Sequence, residues 1–168
     1  MKKLGRQTVQ FEKAPSIIGT ATIVGPKEGQ GRFKDYYDLI LKDSIYQERS
    51  WEKAETKILK ESVEMAIKNS KVPTAKIDYF IAGDLLNQII SAGFAARELG
   101  LPFLGIYGAC STIAQGAIIG AMIIDGDFGE NVVAAVSSHF CTAERQFRFP
   151  LELGNQRKPT SQWTVTGA

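Results

Sequence analysis

The stretch that most constrains this chain is Phe103–Gly126, FLGIYGACSTIAQGAIIGAMIIDG. Its first residues form an apolar run suited to a short buried strand, predicted over Phe103 to Tyr107. Gly108, Ala109, Cys110 and Ser111 then keep a tight turn small. From Thr112 to Ile124 the residues predict a helix that is apolar on almost every side. Only Thr112, Gln115 and the glycines at 116 and 120 relieve it. A helix apolar all round is buried all round. One sheet can cover only one of its sides, so the rest of its cover must come from elsewhere.

The remainder of the chain alternates strands with helices. A first strand is expected near Ser16 to Val24, followed by an exposed loop at Gly25 to Gly31. Phe33 to Tyr46 reads as irregular or weakly helical. Ser50 to Ser70 is an amphipathic helix, capped by Ser50, with Trp51, Ala54, Ile58, Leu59, Val63, Ala66 and Ile67 at helical spacing. A strand at Ile77 to Ala82 leads into a helix at Gln88 to Leu99, stopped by Gly100 and Pro102. Asn131 to Ser137 is a strand without clean alternation, which predicts cover on both faces. Glu144 to Pro159 reads as a long loop, and Trp163 to Thr166 as the start of a strand. This order predicts an α/β fold with a mainly parallel sheet. Ligands in such sheets bind beyond the C-terminal strand ends. Asp84, Cys110 and the pair Ser138-His139 all follow strands, so three stretches should meet on one rim.

The 168 residues suit one domain or one half of a larger one. A net charge of +2 gives no electrostatic ground for nucleic-acid binding. The longest apolar run falls short of a membrane span, and the N-terminus lacks the apolar core of a secretory signal. Two cysteines without a dense pattern suggest a reducing compartment.

Cys110 sits where a strand ends and a helix begins. Helical N–H groups and the positive end of the dipole converge there, which suits a thiolate, a bound anion or a developing oxyanion. Its plainer role is a small buried hydrophobe. His139 is the sole histidine. It is either a base for a nucleophile or a ring held by hydrogen bonds at a half-buried strand end. Asp84 and Asn87 could orient a ligand, although Asp is equally suited to cap a helix. Arg145 and Arg148 bracket Phe147 and could clamp a carboxylate, or simply lie at the surface. Cys110, His139 and Cys141 match no closed zinc pattern, and no phosphate-binding glycine loop occurs, so neither a metal nor a cofactor is expected.

Five stretches carry a family resemblance: AGDLLNQ (Ala82 to Gln88), YGACST (Tyr107 to Thr112), SSH (Ser137 to His139), TAERQFRFP (Thr142 to Pro150) and TVTG (Thr164 to Gly167). Together they resemble the stage V sporulation protein AD family, of the thiolase-like superfamily, over essentially all of residues 1–168. The resemblance implies one N-terminal half of a two-half fold, with helices buried between two sheets and the second half absent. It implies a sporulation role: holding dipicolinic acid (pyridine-2,6-dicarboxylate), with or without calcium, on its way into the forespore. Cys110, His139, Asp84, Asn87, Ser138, Arg145 and Arg148 are then the candidate ligand contacts. Other stage V sporulation membrane proteins become partners, a homodimer or larger assembly is expected, and the location is the cytoplasm or forespore, peripheral to the spore inner membrane. Cys110 also falls on the acylated position of thiolases and ketoacyl synthases, so the alternative is an acyltransferase or condensing enzyme.

Overall fold

The computed structural model describes residues 2–85, 89–142 and 165–168. Along them the chain runs β1 (Ile23–Val24), β2 (Leu39–Ile40), α1 (Trp51–Ser70), β3 (Tyr79–Asp84), α2 (Ile90–Leu99), β4 (Phe103–Gly105), α3 (Thr112–Asp125) and β5 (Val132–Ser137). Strand β3 lies in the middle of a parallel sheet of order β4-β3-β5. Its register places Ile81 beside Leu104 and Ala134, and Asp84 beside Ser137. Strands β1 and β2 pair separately, also in parallel. Gly167 joins the two sheets through antiparallel bridges to Val24 and Ser138.

Strand pleating assigns the layers, because successive side chains point to opposite faces. Phe80, Ala82, Val133 and Ala135 pack with Leu59, Val63, Ala92 and Ala95, so α1 and α2 cover that face. On the other face α3 comes close to the strands through its two glycines. A Cβ at Gly116 would sit 3.1 Å from Ala134, and one at Gly120 would sit 3.1 Å from Val132. Strand β5 is therefore covered on both faces, as its lack of alternation predicts.

Ser50 caps α1 by accepting the Lys53 N–H at 3.2 Å, and Lys71 closes it in the left-handed conformation. Ala54, Ile58, Leu59, Val63 and Ile67 of the expected apolar stripe form the buried face of α1, with the addition of Glu55, Thr56 and Ser62, whereas Trp51 is exposed and Ala66 only partly buried.

Several expectations are corrected. The first strand shrinks from Ser16–Val24 to two residues, because Ile17 and Ile18 are 84% and 58% exposed and pair with no strand. Phe33–Tyr46 is mostly irregular with a 3-10 turn at Lys34–Tyr36, as expected, but it also holds β2, whose Leu39 and Ile40 pair with β1. Strand β4 stops at Gly105, two residues early. Helix α3 is not buried all round in this chain. Thr112, Gly116, Gly120 and Asp125 face inward, while Ile113, Ile118 and Met122 are 47%, 53% and 48% exposed. The loop expected at Glu144 to Pro159, along with Gln88, Trp163 and Thr164, lies outside the described residues.

Two predictions follow from this packing. A Cβ at Gly83 would lie 2.1 Å from the Ile106 carbonyl oxygen. Gly83→Ala should therefore cost at least about 3 kcal/mol in urea unfolding; a loss below about 1 kcal/mol would mean that β4 and its turn can shift freely. The outward face of α3 is a contiguous apolar surface of the kind that monomers rarely expose. This 168-residue chain should self-associate and bind an apolar dye, and Ile118→Lys with Met122→Lys should reduce both. A monodisperse 18.4 kDa particle that binds no dye would contradict this.

Candidate functional site

After β4 the backbone turns over the end of β3. The Ile106 N–H bonds the Ala82 carbonyl at 3.0 Å, and Gly83 passes beneath the Ile106 carbonyl. The turn then tightens into a 3-10 turn, Ala109–Ser111, which carries Cys110 into α3. Ala109 adopts φ 47°, a left-handed conformation that L-residues rarely take. The Gln115 side chain lies over Gly108, where a Cβ would come 2.4 Å from its Oε1 and the Gln115 tip would have to move. Thr112 fixes the turn: its hydroxyl accepts the Gly108 N–H at 3.2 Å and donates to the Ala109 carbonyl at 2.8 Å. Ser111, in the N-cap position of α3, turns its hydroxyl back to the Gly108 carbonyl at 2.8 Å. No side chain caps α3; the 3-10 turn ahead of it takes up the Thr112 N–H on the Ala109 carbonyl, and Cys110 is exposed beside this helix start.

The other predicted residues lie on the same rim but not on the same face. Asp84 and Ser137 are register partners whose side chains belong to the α1–α2 side, in phase with Ala82 and Ala135. Gly83, in the opposite phase, meets the Cys110 turn. The expected meeting on one rim holds for the backbone, while strand alternation separates the side chains. Asp84 is buried and accepts the Ala92 N–H at 3.2 Å. Helix α2 has no capping side chain of its own, so Asp84 serves as its cap across the chain. Ser138 exchanges two 3.0 Å backbone bonds with Gly167.

His139 is completely buried. Its Nδ1 accepts the Cys141 N–H at 3.1 Å, which leaves the proton on Nε2, 2.7 Å from the Ser44 carbonyl. Burial pushes its pKa below the usual histidine range, in keeping with a neutral ring. The ring also packs against Trp51 at 5.5 Å and stacks on Phe140 at 5.3 Å. Both of its nitrogens are thus committed, and no hydrogen bond joins it to Cys110. Asn87, Arg145 and Arg148 lie outside the described residues. Among the described residues no group of three or more His, Cys, Asp or Glu side chains could hold a metal ion, and no helix is long and apolar enough to cross a membrane.

Sequence reasoning missed Glu55. It lies on the buried face of α1, four residues after Trp51 and four before Leu59. Its Oε1 takes the Ser137 hydroxyl at 3.0 Å, its Oε2 meets the Thr142 hydroxyl, and Ser91 also reaches it. Burial above all, with Asp84 nearby, pushes its pKa up to about 7. The signal was present in the sequence: a Glu in phase with an apolar stripe is a buried acid.

A sequence model of the family described as "Stage V sporulation protein AD (SpoVAD)" matches residues 5–168. The chain belongs to this family. It is 39% identical over 168 residues to Stage V sporulation protein AD of Bacillus subtilis, covering all of this chain and 50% of the relative, so it spans half that protein's length. Among solved structures it is similar to a variant of OleA from Xanthomonas campestris, with 15% identity, a TM-score of 0.54, and coverage of 86% of this chain and 49% of the other. A 3-oxoacyl-[acyl-carrier-protein] synthase III from Aquifex aeolicus matches at 14% identity and a TM-score of 0.49, over 74% and 45% of the two chains. The OleA likeness bears on the fold alone, which is thiolase-like, as expected from the sequence.

The two cysteines differ in setting, Cys110 being exposed and Cys141 partly buried. Iodoacetamide should therefore alkylate Cys110 several-fold faster than Cys141 near neutral pH, read by peptide mass spectrometry. Equal rates would mean that the Cys110 turn is closed in solution.

Proposed function

We propose that this chain forms the part of a sporulation protein that holds dipicolinic acid, with or without calcium, for uptake into the forespore. The observation that carries this reading is the N-terminus of α3, uncapped by any side chain and set beside an exposed Cys110. A planar dianion suits such a position, because the positive end of the helix dipole favours negative charge there. Arg145 and Arg148 would close on the second carboxylate, with Asn87 and Ser138 as further polar contacts. In this reading Asp84 and His139 support the rim rather than touch the ligand, since each already has a structural partner. The protein would work peripherally at the spore inner membrane, as a dimer or larger assembly with other stage V sporulation membrane proteins.

The alternative is acyl transfer with Cys110 as nucleophile, the chemistry suggested by its place at the strand-to-helix turn. Such a nucleophile is activated by a neighbouring base or by its place at a helix N-terminus. The committed nitrogens of His139 remove it as that base, which weighs toward binding over transfer.

Calorimetric titration with dipicolinate should give saturable binding, tested with and without calcium. Replacing whichever of Arg145 and Arg148 forms the clamp should weaken binding about 10- to 100-fold, the usual cost of a hydrogen bond to a charged group. Cys110→Ala should weaken it only modestly. If all of these variants bind like the parent, the ligand site lies elsewhere. A covalent acyl adduct on Cys110 after incubation with an acyl thioester would instead favour the enzyme.

A further inference from the structure

Helix α3 ends in the wrong charge. Carbonyl groups crowd a helix C-terminus and favour cations there. Yet the last turn of α3 holds no basic residue and closes on Asp125, with Asp127 two residues on. Asp125 is also buried. Its compensation comes from the opposite end of the chain. The Lys2 ammonium lies 2.6 Å from the Asp125 Oδ2 and donates to the Asp125 carbonyl at 3.0 Å. Oδ1 accepts the Glu12 and Lys13 N–H groups at 2.7 and 2.8 Å, and the Lys13 ammonium pairs with Asp127. Two cations and two N–H groups meet the two acids at this helix end.

The segment that supplies them has little else to hold it. Apart from Lys2 and Phe11, residues 2–13 are exposed. They fold on themselves as a hairpin. The Leu4 N–H bonds the Thr8 carbonyl at 3.0 Å, the Gln10 N–H bonds the Lys2 carbonyl at 2.8 Å, and Lys3 is bridged to Val9. Among the described residues, the hydrogen bonds and ion pairs from this hairpin to the rest of the chain run to Asp125 and Asp127. Its attachment and the charge balance of the α3 terminus rest on the same contacts.

We propose that residues 2–13 form a detachable strap with Asp125 as its clasp. Closed, the strap supplies the cations that the C-terminus of α3 lacks. Open, it leaves two acids opposed to the helix dipole, and the last turn of α3 frays. The strap and the helix end open together, although Lys2 and Asp125 are 123 residues apart. Met122, part of the exposed apolar face of α3, lies in the turn that loosens. The strap in this way controls how firmly that end of the apolar face is presented.

Hydrogen exchange by mass spectrometry on the full chain, at one fixed pH, tests this. The Glu12 and Lys13 amides report the clasp. The Gly126, Asp127 and Phe128 amides report the helix end, since they bond the Met122, Ile124 and Ile123 carbonyls at 2.9, 3.3 and 3.0 Å. Lys2→Glu sets a carboxylate against the clasp and should lower protection of both groups about tenfold, while β3 is unchanged. Adding Asp125→Asn to Lys2→Glu removes the charge that opposes the dipole. Protection of the helix end should then recover while that of the strap stays low. Loss in the strap alone, or in neither group, overturns the proposal. So does a helix end that fails to recover in the double variant. Should Lys2→Glu aggregate, Lys2→Gln should show the same signs at smaller size, and no change in either group would again overturn the proposal.

Discussion

The structure depends on β3 being held between two helical layers. A strand whose last five residues are all buried must satisfy its backbone with parallel neighbours and its side chains with helices on both sides. The pleat then decides which chemistry faces which layer. Phe80, Ala82 and Asp84 face α1 and α2, while Ile81 and Gly83 face α3. The exposed Cys110 turn and the buried acid cluster are consequently separated by the thickness of one sheet, although both sit at the same strand ends.

The close approach of α3 follows from the same constraint. Gly116 and Gly120 are one turn apart on its inner face, and each brings the helix to within contact of a β5 side chain. That places the apolar branched residues outward. In a chain spanning half the length of its relative, those residues are the exposed ones.

Much of this was legible in the sequence. Helix α1 and its Ser50 cap, the burial of β5 on both faces, the parallel α/β order and the placement of Cys110 between β4 and α3 all follow from local pattern. What could not be read depends on partners distant in the chain. Nothing near Leu39 and Ile40 announces a strand, because their partner is β1. Ile17 and Ile18 look like strand residues, yet they find no neighbour to pair with. His139 presents as a candidate base until Ser44 and Cys141 are seen to occupy its ring. Glu55 was hidden differently: its position in the stripe was visible, but the hydroxyls that make burial of a carboxyl tolerable come from α2, β5 and the corner beyond.

The placement of Gly167 bears on how the sheet is assembled. It bridges Val24 and Ser138, and a Cβ there would lie 2.7 Å from the Ile23 carbonyl oxygen, so a glycine is needed for the strands to close around it. The β4-β3-β5 sheet and its helices draw on neighbouring segments and can form early. The β1–β2 pair packs on α1 through Ile23, Leu41 and Ile58, so it can dock on that helix before Gly167 is in place. Gly167 then ties the pair to the end of β5 by closing a long loop, a step whose entropic cost grows only slowly with loop length.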